Sequence, residues 1–381
     1  MIVVAYLINQ LRKSGPVNVL YNLVCNLDRS KYKPIVIKLM KDDVNKSVTS
    51  AFKQAGIHII EFDFSFWDLE LKTSQVANII NGILSINNVN IIHSHGYHPL
   101  LISSYIKSNI IKFDTQHCFS LDSFRSSRGW IIGTYMHCRY LYRLRKITAG
   151  ISISKSVEKY YRNLGIKIPF HTIYNGIDLA EFTLNENKKY WKKKIGIDEH
   201  AITFVVVGHL SKLKDPLLVI KSYISLINKG LLKNTVLIFC GSGLEEKKCK
   251  ELAKPYSQIL FKGYVFNVSD YLKAADFSIC ASHSEGFGLN YIEAMAAGAF
   301  VLSSKIPAFN EFAEICPILK EYQFGVGNQK ELEKCMLSVG GGIVDKLCIS
   351  SGIIEKFSSE NMGKEHMDLY EKYYKNGNDF K

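Results

Sequence analysis

The chain has no C-x-x-C pair, although it carries nine cysteines along 381 residues. That odd number and scattered spacing speak against a disulfide framework or a cysteine zinc site and fit free thiols in a reducing compartment. It also lacks an uninterrupted apolar run of membrane-spanning length. Thr73–Ile106 is free of Asp, Glu, Lys and Arg, but its many Asn, Ser and His side chains argue against a span. The opening Met1–Ile8 has no basic leader and no small-residue cleavage site, and Arg12 and Lys13 follow at once, so it reads as a first buried strand. Acid is scarce in one half only. Residues 1–180 hold 22 Lys and Arg against 11 Asp and Glu, whereas 181–381 hold 26 against 24, so the net charge of +13 is concentrated in the N-terminal half. That half is the one expected to meet an anionic partner or surface. With 47% apolar and 22% charged residues the composition is that of a folded protein without long disorder.

What is present is an alternation. Strand-like runs at Ile2–Ile8, Pro34–Leu39, Ile57–Phe62, Asn90–His95, Ile110–Thr115, Ala149–Ile153 and Thr172–Tyr174 alternate with helix-like segments, which predicts a parallel sheet covered by helices. After the first run, Ser14 and Gly15 open a helix with Val17, Leu20, Val24 and Leu27 on one face, and a glycine turn after strand one is where doubly wound sheets place ligands. The alternation breaks past Phe182 in a charged bridge, Asn185–Lys194, and resumes with Thr203–Val207, Thr235–Cys240, Ile259–Lys262 and Phe277–Ala281. Two doubly wound α/β domains facing across a cleft are expected, spanning 1–180 and 181–363. A final helix, about 364–381, could pack back onto the first.

The second series ends in Ala281-Ser-His-Ser-Glu-Gly-Phe-Gly-Leu-Asn-Tyr-Ile-Glu-Ala-Met-Ala-Ala-Gly298. A strand, a turn freed by Gly286 and Gly288, and a helix start leave unpaired N–H groups at the positive end of a helix dipole, where a diphosphate binds well. Eight residues of helix span about 12 Å, wider than the roughly 5 Å pair of a retaining glycosidase. Glu285 and Glu293 therefore read as two grips on one long ligand, each able to accept from a pair of hydroxyls. The plain alternative is that Glu285 caps the helix and Glu293 faces solvent.

These stretches together resemble the family 4 retaining glycosyltransferases of the GT-B fold, over nearly the whole chain. Glu285 through Glu293 resembles the family's E-x7-E motif, and Ile173-Tyr-Asn-Gly-Ile-Asp178 with Phe182 its interdomain signature. Val207-Gly-His-Leu through Lys214, Cys240-Gly-Ser-Gly243, Phe261-Lys-Gly-Tyr264 and Tyr271-Leu-Lys-Ala-Ala-Asp276 are similar to further family segments in the same order. The resemblance implies that Glu285 binds hydroxyls of a donor sugar and Glu293 the ribose of a UDP- or GDP-sugar. Lys214 would neutralise the departing diphosphate, helped by the N–H groups of Gly286, Phe287, Gly288 and Leu289. Gly15 would let ligand approach the backbone, and His117 would be a histidine near the donor sugar. The family's usual Arg five positions before Lys214 is replaced by His209, which cannot make a guanidinium clamp. His93, His95 and His98 resemble a metal cluster, but the resemblance implies metal-independent donor binding and no cofactor.

Ser123–Gly150 carries six Arg and Lys residues and no acid, interleaved with Phe124, Trp130, Tyr135, Tyr140 and Tyr142. Such a segment suits an anionic membrane surface or a lipid-pyrophosphate acceptor, or it is a solvated helix whose aromatics pack inward. The expectation is a cytoplasmic enzyme, peripheral at the inner face of the plasma membrane. It would move a hexose from a nucleotide sugar to a glycan or polyprenyl-pyrophosphate-linked acceptor in bacterial capsule, O-antigen or exopolysaccharide synthesis. A noncatalytic sugar-nucleotide-binding subunit and a nucleic-acid-binding protein are the alternatives; no nucleic-acid motif accompanies the basic charge.

Overall fold

The first run, Ile-Val-Val-Ala-Tyr-Leu-Ile, is apolar on both faces, and the chain buries both by making it a central parallel strand. The computed structural model describes residues 1–43, 46–338 and 351–378. These form two compact units, one of Met1–Gly176 together with the chain from Ser359 onward, the other of Ile177–Ser358.

Unit 1 contains β1 (Ile2–Ile8), β2 (Tyr32–Lys38), β3 (His58–Glu61), β4 (Ile91–His95), β5 (Ile111–Gln116), β6 (Ala149–Ser152) and β7 (Phe170–Thr172). They lie in the order β3-β2-β1-β4-β5-β6-β7, all parallel. The order reverses between β1 and β4. One core layer joins Leu7, Ile37 and Ile92 of the sheet to Val76, Ile80 and Leu84 of the helix Thr73–Ile86. The last strand sits two residues before the expected Thr172–Tyr174. Its register is set by Phe170 opposite Gly150, where a Cβ would stand 2.5 Å from the Phe170 ring. The helix Ser359–Asn378 packs on this unit. Tyr370 is fully buried, and the Tyr32 hydroxyl donates to the Met367 carbonyl at 3.0 Å. The last three residues of the helix expected over 364–381 lie outside the described residues.

Unit 2 contains β8 (Ile202–Val207), β9 (Thr235–Cys240), β10 (Ile259–Gly263), β11 (Phe277–Cys280), β12 (Phe300–Ser304) and β13 (Gln323–Phe324). Their order is β10-β9-β8-β11-β12-β13, again parallel, with the reversal between β8 and β11. The eight cysteines among the described residues are free, and Cys348 lies outside them. No helix among the described residues is long and apolar enough to cross a membrane.

Candidate active site

In an open doubly wound sheet, ligands bind beyond the carboxyl ends of the strands where the order reverses. In unit 2 that point is flanked by the loops after β8 and β11, and both carry residues singled out in the sequence. Three loops interlock there. Gly208 N–H donates to the Cys240 carbonyl and Leu210 N–H to the Ser242 carbonyl, each at 3.0 Å. The approach is so close that a Cβ on Gly241 (φ 152°) would stand 1.9 Å from the Gly208 oxygen. From the β11 side, His283 N–H donates to the Leu213 carbonyl at 2.7 Å, and His283 Nε2 lies 2.9 Å from Asp215 Oδ2. Asp215 is itself left-handed (φ 45°) and caps the helix Pro216–Asn228 through Leu218 N–H.

This framework brings Lys214 and Glu285 together. The Lys214 ammonium donates to Glu285 Oε1, which also accepts from Ser282 Oγ at 2.8 Å. The pair is partly open, with side chains 26% and 14% exposed. Burial pulls the Lys214 pKa down, but the carboxylate of Glu285, with Glu293 adding to it, outweighs burial and raises it. Lys214 is thus held as a cation at neutral pH.

The helix Leu289–Ala296 begins at Gly288, left-handed at φ 97° and without a side-chain cap. A Cβ there would meet the Phe309 ring at 2.5 Å, so the position needs glycine on two counts. The N-cap position is thus filled by a residue with no side chain to cap with. The first turn itself holds no acid, so no side chain of the helix competes there for its leading N–H groups. Phe287 is 2% exposed and packs edge-on against Phe312 at 5.2 Å, which leaves its main chain as its contribution. Gly286 and Leu289 are half-buried beside it, and Glu293 is half-buried on the helix. His209 and Lys212 are exposed in the loop after β8. A cation beside a helix N-terminus, with carboxylates and a hydroxyl next to it, can take an anionic group flanked by hydroxyls.

Sequence reasoning missed three contributors. Ser282 and the His283–Asp215 contact hold the loop that presents Glu285. Asn290 Nδ2 donates to the Val207 carbonyl at 3.1 Å and ties the helix to the end of β8. The signal for Asn290 was available, because Asn is a poor helix former and stands in a first turn.

The remaining expected residues lie in unit 1. Gly15 is the first residue of the helix Gly15–Cys25, directly after the N-cap Ser14. His117 follows β5, partly exposed, its Nε2 3.0 Å from Nδ1 of the buried His95. Burial, with His366 nearby, lowers the His117 pKa to about 4. His93 Nδ1 lies 2.6 Å from the Tyr370 hydroxyl and its Nε2 2.6 Å from Thr115 Oγ1. His98 lies 3.0 Å from Glu70 Oε1, and the Arg139 guanidinium also pairs with Glu70. The H-x-H-x-x-H residues are thus engaged separately, and no metal cluster occurs among the described residues.

The basic segment forms the helices Ser120–Arg128 and Trp130–Leu144. Its aromatics divide. Tyr140 is buried with its hydroxyl 2.6 Å from Asp114 Oδ2, and Phe124 packs on Tyr97 at 5.4 Å. Trp130, Ile131 and Tyr135 face out, 72%, 85% and 58% exposed, with the Arg125 guanidinium 3.8 Å above the Trp130 ring.

A family model described as "Glycosyl transferases group 1" matches residues 187–314, and one described as "Glycosyltransferase Family 4" matches 13–181. The O-antigen biosynthesis glycosyltransferase WclY of Escherichia coli is 25% identical over 328 residues, 82% of this chain and 83% of that one. The UDP-Gal:alpha-D-GlcNAc-diphosphoundecaprenol alpha-1,3-galactosyltransferase of Escherichia coli is 29% identical over 146 residues, 36% and 37% of the two chains. Among solved structures, Anabaena Alr3699/HepE in complex with UDP-glucose superposes with TM-score 0.75 at 15% identity, covering 98% of this chain and 100% of that one. That likeness is one of fold.

Proposed function

The chain is a glycosyltransferase of family 4 with the GT-B fold, and from that premise we propose that unit 2 binds a nucleoside diphosphate sugar through Lys214, Glu285 and the start of the helix Leu289–Ala296. The observation that carries this reading is the Lys214–Glu285 pair just ahead of the start of the helix Leu289–Ala296, on the switch point of the sheet. The Lys214 ammonium and the N–H groups from Gly286 to Leu289 receive the diphosphate and stabilise it as it leaves. Glu285 holds sugar hydroxyls, and Glu293 the ribose diol. The sugar–phosphate bond loosens toward an oxocarbenium-like state, and the acceptor hydroxyl attacks from the same face, with retention and without a protein nucleophile. The exposed His209 takes the place of a second cation on the diphosphate.

A UDP-hexose is the first donor to test, since HepE was solved with UDP-glucose and the E. coli galactosyltransferase is named for UDP-Gal. The acceptor is a glycan on a lipid diphosphate, in keeping with the diphosphoundecaprenol in that relative's name and the O-antigen role in WclY's. Unit 1 takes the acceptor, with Gly15 and His117 at its strand ends. Its outward Trp130, Ile131 and Tyr135 beside Arg125 and Arg128 rest on an anionic cytoplasmic membrane face. Transfer from radiolabelled UDP-sugars to lipid-linked acceptors tests the reading. Glu285→Ala is expected to lose transfer while binding UDP, and transfer at the wild-type rate by that variant would refute the assignment.

A further inference from the structure

His117 is braced by a second imidazole. The register pairs His95 of β4 with Thr115 of β5, so His117, two residues on, stands beside His95. Their nitrogens, His95 Nδ1 and His117 Nε2, are 3.0 Å apart. His95 is 4% exposed, boxed in by His93 with ring centroids 4.4 Å apart and by Tyr6 at 6.1 Å. Its other nitrogen, Nε2, is buried and has no hydrogen-bond partner among the described residues.

One proton occupies the bond between the two rings. If His117 donated it, neutral His95 would carry its own proton on Nε2, as a buried N–H with nothing to receive it. If His95 donates, its Nε2 is an unprotonated lone pair, and a buried acceptor left alone is tolerated more readily than a buried donor. Double protonation of His95 is excluded by burial and by the neighbouring histidines, which hold its pKa well below the ordinary value.

We infer that His95 is a positioning residue whose Nδ1–H donates to His117 Nε2, fixing His117 as the neutral Nδ1–H tautomer. His117 then offers its ligand a hydrogen-bond donor for a sugar oxygen and does not act as a base. The use made of that donated proton rests on the proposed sugar-transfer reading; the tautomer does not.

The test is histidine ¹⁵N spectroscopy on the full chain near pH 7, with the His117 signals assigned by their loss in His117→Asn. The expected spectrum has a pyrrole-type Nδ1 and a pyridine-type Nε2 for His117, and the reverse pattern overturns the inference. In His95→Leu the two tautomers should mix and kcat for sugar transfer fall about fivefold at unchanged KM, the worth of one neutral hydrogen bond. His95→Asn, whose amide N–H stands about where Nδ1–H stood, should restore both. A His95→Leu protein that keeps a single Nδ1–H tautomer on His117 also overturns the inference. If the wild type shows that tautomer but transfers no sugar from any nucleotide, the functional reading falls and the inference stands. Transfer with the reverse tautomer has the opposite meaning.

Discussion

Replacing Lys214 by Met separates two roles that one ammonium plays. The first is to neutralise Glu285. Removing one partner of a buried ion pair costs about 3–5 kcal/mol, but these side chains are 26% and 14% exposed, and solvent screening brings the expected loss of stability to about 2 kcal/mol. The second is to hold the diphosphate. A charge-assisted hydrogen bond is worth about 1.5–3 kcal/mol, so UDP should bind roughly 10- to 150-fold more weakly. Lys214→Met combined with Glu285→Gln distinguishes the two, because the amide still accepts from Ser282 and no charge is left alone. Urea melts should show most of the lost stability regained in the double variant, while calorimetric titration with UDP should show affinity as weak as in Lys214→Met. UDP affinity unchanged in the single variant, or fully regained in the double, would refute the diphosphate role and leave Lys214 as a counterion for Glu285.

Other consequences are equally open to measurement. Asp114 is buried, and burial raises its pKa to about 8. The folded state therefore retains a proton that the unfolded chain loses above its ordinary 3.8, and stability should fall by up to about 1.4 kcal/mol per pH unit between those values. His117 and His366, both lowered to about 4 by burial, act oppositely below 6.5, where the unfolded chain takes up protons first. The Asp114 effect is thus cleanest from pH 6.5 to 8, and Asp114→Asn should flatten melting temperature there; an unchanged slope would contradict it. Gly288→Ala, strained at φ 97° and pressed on Phe309, should cost about 1–3 kcal/mol and weaken UDP binding, read by thermal melts and titration. Trp130→Ala with Ile131→Ser should abolish salt-sensitive flotation with anionic liposomes at a cost of no more than about 1 kcal/mol in stability, because both side chains are exposed and only the Arg125–Trp130 stacking is lost. Wild-type protein that never floats would remove the membrane contact from the account.

Periodicity made most of the fold legible. Continuous apolar runs such as Ile2–Ile8 and Thr235–Cys240, short and rich in β-branched residues, read as central parallel strands, and they are. Phe300–Ser304 escaped notice because only Ala299 separates it from Gly298 and it ends in two serines, although all five residues are buried. Phe170–Thr172 was misplaced because its register comes from Gly150, twenty residues away, where the missing side chain admits the Phe170 ring. At the site, glycine spacing marked the helix start and the motif marked Glu285 and Lys214. Their mutual pairing, the His283–Asp215 contact and the His95–His117 bond join residues 71, 68 and 22 positions apart. Contacts of that kind are made by the strand order, which no local pattern encodes.

The central claim is that unit 2 cradles a nucleoside diphosphate sugar, and ligand-induced thermal stabilisation across a panel of UDP- and GDP-sugars tests it most directly. One nucleotide sugar should raise the melting temperature progressively with the logarithm of its concentration, by about 2.7 kcal/mol of stabilisation at a hundred times its dissociation constant, and Glu293→Ala should lose most of that rise. No stabilisation by any nucleotide sugar, or an equal rise in Glu293→Ala, would contradict it.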